Sequence, residues 1–240
     1  MFDALLCSLT PSVSAGTIPL LSFESKVPLV ISVEDIENQV LSWLRDGDDN
    51  AKDIVDLPWV IKNVGQNAYV AEHPRMPFGL IVMFSNDFVH LIVPLRLETI
   101  SMTKDERLKI YHTLLLLNDR VNLMKFTLSG MNDEIYLRVD LDKKSLGKAE
   151  FNDALTSLLV GLQSAVEALG LEEAFARDVF DRIVWMIFER LQKGATREEL
   201  LRFLVVKVGM PEADAKRLLK EIFEAQEEAN SREQDNTIYL

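Results

Sequence analysis

The sequence predicts an α+β protein, an antiparallel sheet packed with helices and followed by a C-terminal helical extension. Three observations predict it. Residues 124–129 and 135–140 alternate apolar with polar side chains on either side of Gly130-Met-Asn-Asp133, which reads as a hairpin with one wet face. Residues 58–97 read as consecutive short strands separated by turn residues. Beyond residue 150, apolar residues recur at helical spacing in three successive stretches.

Composition bounds what such a fold can do. With 240 residues, 48% of them hydrophobic, the chain holds one large domain or a domain with an appendage. A formal charge of −12 argues against a phosphate-binding surface as the main business, because affinity for nucleic acid rests on clustered Lys and Arg. Nucleic acid is therefore an unlikely partner on composition, and the acidic excess favours solubility and self-repulsion. The single cysteine, Cys7, can form neither an intrachain disulfide nor a cysteine-based metal cluster, so a cytoplasmic location is expected. No stretch approaches the roughly eighteen continuous apolar residues of a membrane span.

Taken in order, residues 1–31 read as an extended N-terminal arm. Pro11, Pro19 and Pro28 interrupt it, and Asp3 stands where a secretory signal carries positive charge. Ser32-Val-Glu-Asp35 can cap a helix carrying Ile36, Val40, Leu41 and Leu44 beside Trp43, ending near Asp46-Gly47. The run from Asp46 to Asn50 has the first ligand positions of a calcium loop, yet Ala51 replaces the turn Gly and Leu57 the bidentate Glu, so an acidic surface loop is expected.

Strands are expected at 59–64, 68–72, 78–84 and 88–95, forming an antiparallel meander. Thr103 and Glu106 have the spacing of a capping box, so a helix starts there and runs through Leu108, Tyr111 and Leu114 to the stop at Asn118-Asp119. The hairpin follows, and then a strong amphipathic helix over 151–169, ended by Gly170.

That order, with Leu115-Leu-Leu-Asn118, Asn122-Leu-Met-Lys-Phe126, Glu134-Ile-Tyr-Leu-Arg-Val-Asp140 and Phe151-Asn-Asp-Ala-Leu155, resembles the bacterial sensory-transduction-regulator family over residues 32–169. That family is similar in fold to the type III secretion chaperones. The resemblance implies a chaperone-like α+β sandwich that commonly pairs into dimers and holds other polypeptides, with no catalytic residues to carry over. The arm and the helical extension go beyond the compact chaperones.

In the extension, residues 171–191 place Leu171, Phe175, Val179, Ile183, Ile187 and Leu191 on one ridge and Phe180, Val184 and Phe188 on a second. An apolar face that wide predicts a helix buried between layers, a lid for the sheet. Gly194 stops it. Thr196 and Glu199 cap a further helix reaching Val208, and Gly209-Met-Pro211 leads into another over 212–229. The expected organisation is thus an arm at 1–31, the α+β domain at 32–169, helices at 170–229 and a flexible tail at 230–240.

Two surfaces invite a functional reading. Phe78, Leu80, Val82 and Phe84 line one face of a strand while Ile81 and Met83 line the other, and the strand from Phe88 is likewise apolar on both sides. Such strands must be covered twice. The cover is the chain's own C-terminal helices, a second copy in a homodimer, or a client polypeptide, with Phe78, Leu80, Val82, Phe84 and Phe88 as candidate contacts. Residues 203–222 also have the layout of a helix-turn-helix, which would direct Lys216, Arg217 and Lys220 to a major groove. Glu212, Asp214, Glu221 and Glu224 share that helix and argue for an ordinary helical hairpin.

Catalytic motifs are missing. There is no phosphate-binding Gly loop, no His-Glu-x-x-His and no Gly-x-Ser-x-Gly, and His73, His90 and His112 lie in separate elements without paired ligand spacing. No cofactor, metal or catalytic residue is expected. The residues favour a non-enzymatic protein-interaction module, with a DNA-binding regulator as the alternative.

Overall fold

The computed structural model describes residues 33–237, and the side chains of 36–225. The extended arm, Cys7 and the Ser32 cap lie outside the described residues. The described residues fall in one compact unit.

Helix α1 (Val33–Arg45) is followed by a 3₁₀ turn at Ile54–Asp56 and the strands β1 (Val60–Gly65), β2 (Ala68–Glu72), β3 (Gly79–Phe84) and β4 (Phe88–Glu98). Helix α2 (Lys104–Arg120) precedes the hairpin β5 (Lys125–Ser129) and β6 (Glu134–Asp142), and α3 (Lys148–Leu169) closes the α+β part. The six strands make one antiparallel sheet in the order β1-β2-β3-β4-β6-β5, so β1 and β5 are its edges.

One sheet face is fully apolar. Ala71, Leu80, Val82, Leu91, Val93, Leu137 and Val139 point inward beneath α1 and α3, where Leu44, Phe151, Leu155 and Leu158 complete a continuous core. Gly161 marks the closest approach, since a Cβ there would stand 2.9 Å from Met124 Sδ and 3.1 Å from Leu137 Cδ2. Lys143 is buried at the rim of this core, where it pairs with Glu37 at 2.5 Å and lies 5.4 Å from the Phe84 ring centroid.

Both capping boxes form as the sequence predicts, at Thr103/Glu106 and Thr196/Glu199. Asn118 is different. It stays within α2, and its side-chain amide accepts the Phe126 N–H at 2.7 Å, which ties the helix to the start of β5. In the extension, α4 (Glu172–Gln192) is followed by α5 (Arg197–Arg202), a π-helical turn at Phe203–Val208, and α6 (Glu212–Thr237). The wider turn replaces the single helix expected up to Val208, and Gly209 ends it at φ 82°. Because α6 runs on to Thr237, the backbone over 230–237 is helical where a flexible tail was expected.

A second correction concerns α4. It is not buried between layers, since Trp185 is 67% exposed and Phe180 is also exposed. Its apolar surface is shared between two cores. Phe175 packs against the sheet domain, whereas Met186 and Ile187 join Leu200, Phe203, Leu204, Leu218 and Leu219 in a separate core of the helical extension. Helical periodicity reports how wide an apolar face is, not how many bodies share it.

Polar contacts tie the extension to the sheet domain. Arg182 Nη2 donates to the carbonyls of His73 (2.8 Å) and Met76 (2.6 Å), Arg75 donates to the Val206 carbonyl (2.9 Å), and Lys207 pairs with Asp49. The acidic loop after α1 thus supplies a structural anchor. Among the described residues no group of three or more His, Cys, Asp or Glu is placed to hold a metal ion, and no described helix is long and apolar enough to cross a membrane.

Candidate interaction surface

The four consecutive leucines at 114–117 cannot all face one way, because successive helical residues turn by about 100°. Leu114 and Leu117 point into the core, so Leu115 and Leu116 are turned out. Leu108, two turns before Leu115, shares its side of the helix. Leu108 is 68% exposed and Leu115 66%. Beside this stripe runs β5, an edge strand whose Leu128 is also exposed.

Between α2 and β5 lies a groove of about 300 Å³, lined by Tyr111, Leu114, Leu115, Phe126, Leu128 and Ile135. Its one amide, Asn118, binds both main-chain polar groups of Phe126: Oδ1 accepts the N–H, and Nδ2 donates to the carbonyl at 3.4 Å. An edge strand invites pairing with another strand. Here the amide occupies the main-chain groups at Phe126, while the apolar side chains stay open. The surface is therefore suited to receiving side chains.

The sequence pointed to a different place. Phe78, Leu80, Val82 and Phe84 are buried in the inner core, so they are not available to a partner in this structure; only Phe88 of the five is exposed, at 42%. The alternation of β3 showed correctly which residues share a face. Which face the helices take depends on the chain's path, and α1 and α3 cover the Leu80 side. The missed signal was the leucine run itself, which overfills a single helical stripe.

The part of the outer sheet face away from α4 divides in two. Met83 and Phe88 are exposed apolar residues, whereas β5 and β6 contribute a polar cluster around Asp140. Asp140 accepts from Lys125 Nζ and Arg138 Nε and lies against His90 Nδ1, each at 2.6 Å, while Arg138 Nη2 also comes within 3.0 Å of that ring nitrogen. Partial burial alone would raise its pKa, but the three partners together hold the carboxyl well below the usual range. His90 Nε2 is 3.0 Å from Ser85 Oγ, giving the connectivity of a Ser-His-Asp hydrolase triad. The surroundings are those of a surface network. Ser85 lies exposed at the β3–β4 turn, its hydroxyl engages the Phe88 main chain, and two further cations neutralise Asp140.

Lys216, Arg217 and Lys220 all lie on the exposed side of α6. Each pairs with a carboxylate of its own helix: Glu212 at 2.6 Å, Asp214 at 2.9 Å and Glu224 at 3.5 Å, respectively. The fold brings them onto one exposed surface but gives each a local counter-charge.

A family model described as a domain of unknown function (DUF8183) matches residues 39–169, more than half of the chain. The chain belongs to that family. Within this DUF8183 chain, a second model, named HTH_78 and described as a domain of unknown function, matches residues 170–233, the helical extension. No curated protein matches. Among solved structures, part of the heterodimeric complex ExoU-SpcU from the type III secretion system of Pseudomonas aeruginosa is similar at 12% identity, covering 53% of this chain and 94% of that one with a TM-score of 0.34. A likeness that slight carries no argument.

Proposed function

We propose that the protein is a non-enzymatic interaction module of the cytoplasm that binds polypeptide through the groove between α2 and β5. The observation that carries this is the conjunction of exposed Leu108, Leu115 and Leu128 with a sheet edge whose Phe126 main chain is already capped by Asn118. A partner there is recognised by apolar side chains. The geometry favours the apolar stripe of an amphipathic helix, which needs no main-chain pairing. A second copy's α2 is one such helix, so homodimer and partner complex are two uses of one surface. The chaperone-like role implied by the family resemblance belongs to this reading.

Crosslinking and capture, run with the wild-type chain and Leu115→Glu side by side, test it. The proposal expects the wild type to form a crosslinked dimer or heterologous complex that Leu115→Glu loses while its circular dichroism stays unchanged. Identical crosslinked species from both proteins, or none from either, would overturn it.

A second reading is a DNA-binding regulator acting through Lys216, Arg217 and Lys220. The name of the second family model and the α5–Gly209–α6 hairpin favour it; the three local ion pairs count against it. It expects duplex DNA binding that falls steeply with salt and is lost in Arg217→Glu with Lys220→Glu.

A further inference from the structure

We propose that the cavity bounded by the sheet, the C-terminal part of α3 and α4 is a binding site for a carboxylate carried on an apolar body. The cavity, about 350 Å³, is large enough for a small ligand. Val70, Ile81 and Pro94 of the sheet form one wall, and Ala174 and Phe175 of α4 lie among the residues facing them. Two arginines also line it, the exposed Arg96 and the more buried Arg182.

Arg96 is brought there by an irregular backbone. The β4–β6 register breaks between Pro94 and Glu98, and Arg96 sits at φ 54°, a left-handed conformation that a long side chain adopts only when its surroundings impose it. Such bulges re-aim a side chain relative to a regular strand. Arg182 is held differently. One nitrogen, Nη2, makes both bonds to the His73 and Met76 carbonyls, while among the described residues neither Nη1 nor Nε has a hydrogen-bond acceptor.

The local charges leave these donors open to a ligand. Glu72 and Asp178 also line the cavity, yet Glu72 is paired with Lys62 at 3.6 Å, and among the described residues no carboxylate, Asp178 included, forms an ion pair with Arg96 or Arg182. Burial pushes the Arg182 pKa down, Glu72 works against that push and Arg96 adds to it. Two like charges beside an apolar cavity are stabilised by an anion that accepts from the vacant N–H groups, and the planar guanidinium fits a carboxylate. The remaining volume takes an aliphatic or aromatic tail. A fatty acid and the C-terminal carboxylate of an apolar peptide share that chemistry.

The test is calorimetric titration of the full chain with sodium octanoate, with octanol, and with acetyl-Leu-Phe as free acid and as amide. At least one acid should bind, at least about tenfold more tightly than its neutral counterpart, and the acid that binds identifies the source. Arg96→Asn, which suits the left-handed backbone and leaves the Arg182 contacts in place, should weaken that acid about tenfold. Ile81→Trp should block the cavity, and Leu115→Glu should leave binding unchanged, which separates this site from the α2–β5 groove. Equal binding of acids and neutral counterparts, no binding of either acid, or acid affinity indifferent to Arg96→Asn would each overturn the proposal.

Discussion

Helices α3 and α4 are joined at Gly170 and differ by one residue in length, yet they meet the sheet by opposite chemistry. α3 lays Phe151, Ala154, Leu155, Leu158, Leu162 and Ala165 against the inner face, so closely that Gly161 leaves no room for a Cβ. α4 sets only Phe175 against the same core, adds Arg182 donating to the His73 and Met76 carbonyls, and leaves a cavity beside them. A dry apolar contact is strong and non-directional; a polar contact with a few donors is weaker and can be replaced by another acceptor. The first holds the fold, and the second is where a ligand or a change of pH can act without dismantling the core.

The largest test of that contrast is Phe151→Ala. The ring is fully buried, with its centroid 5.8 Å from that of Trp43, and its loss should cost about 3–5 kcal/mol in urea denaturation. Arg182→Ala should cost less, about 1–3 kcal/mol, by leaving two carbonyls without their donor. Its signature is regional: hydrogen exchange should rise over 172–225 while α3 stays protected. Equal loss of protection in α3 would show that the two contacts are not separable.

Next in size is the effect of pH. His73 is 1% exposed beneath Trp59, and its Nδ1 accepts the Arg75 N–H at 3.2 Å, which places the neutral ring's proton on Nε2. Among the described residues that buried Nε2 and the buried Oδ1 of Asp49 have no partner. Burial chiefly, with Arg75, Lys207 and Arg182 adding and Asp49 opposing, lowers the folded-state pKa from 6.5 to about 4. The sign follows directly. Below 6.5 the unfolded chain binds a proton that the folded chain refuses, so stability is complete above 6.5 and is lost as pH falls toward about 4. Urea midpoints at pH 7 and pH 5 should differ in the wild type, and the difference should shrink in His73→Gln.

How much of this was legible depended on the range over which each feature is determined. Capping boxes at Thr103 and Thr196 use atoms three residues apart, and both were readable. Asn118 looked like a helix stop because its side chain competes for backbone partners, and it does so, but at Phe126, eight residues on. The apolar ridges of α4 were visible; that they serve two cores was not, because Phe175 and Ile187 find their partners in different bodies. The sequence showed of His73 only that it lacks a paired ligand spacing, since its surroundings are assembled by Asp49, Arg182 and Lys207 from distant segments. That the candidate contacts of β3 face inward was hidden for a related reason, as period-two alternation is symmetric between faces and only the path of α1 and α3 breaks that symmetry.

The smallest effect on stability should accompany the largest effect on association. Leu115 and Leu117 are two residues apart on α2, one exposed and one buried. Leu117→Glu puts an unpaired carboxylate into the core and should unfold the domain. Leu115→Glu should change stability by no more than about 0.5 kcal/mol, the usual range for an exposed position, while removing the association that the α2–β5 groove supports. Light scattering and urea denaturation on the two variants separate a surface kept apolar for a partner from one that is merely tolerated. If Leu115→Glu proves as disruptive as Leu117→Glu, α2 is held on both sides by the fold itself and the groove serves packing. If it is neutral for stability and association alike, the exposed leucines are ordinary surface residues, and the cavity beside α4 becomes the place where the molecule meets a ligand.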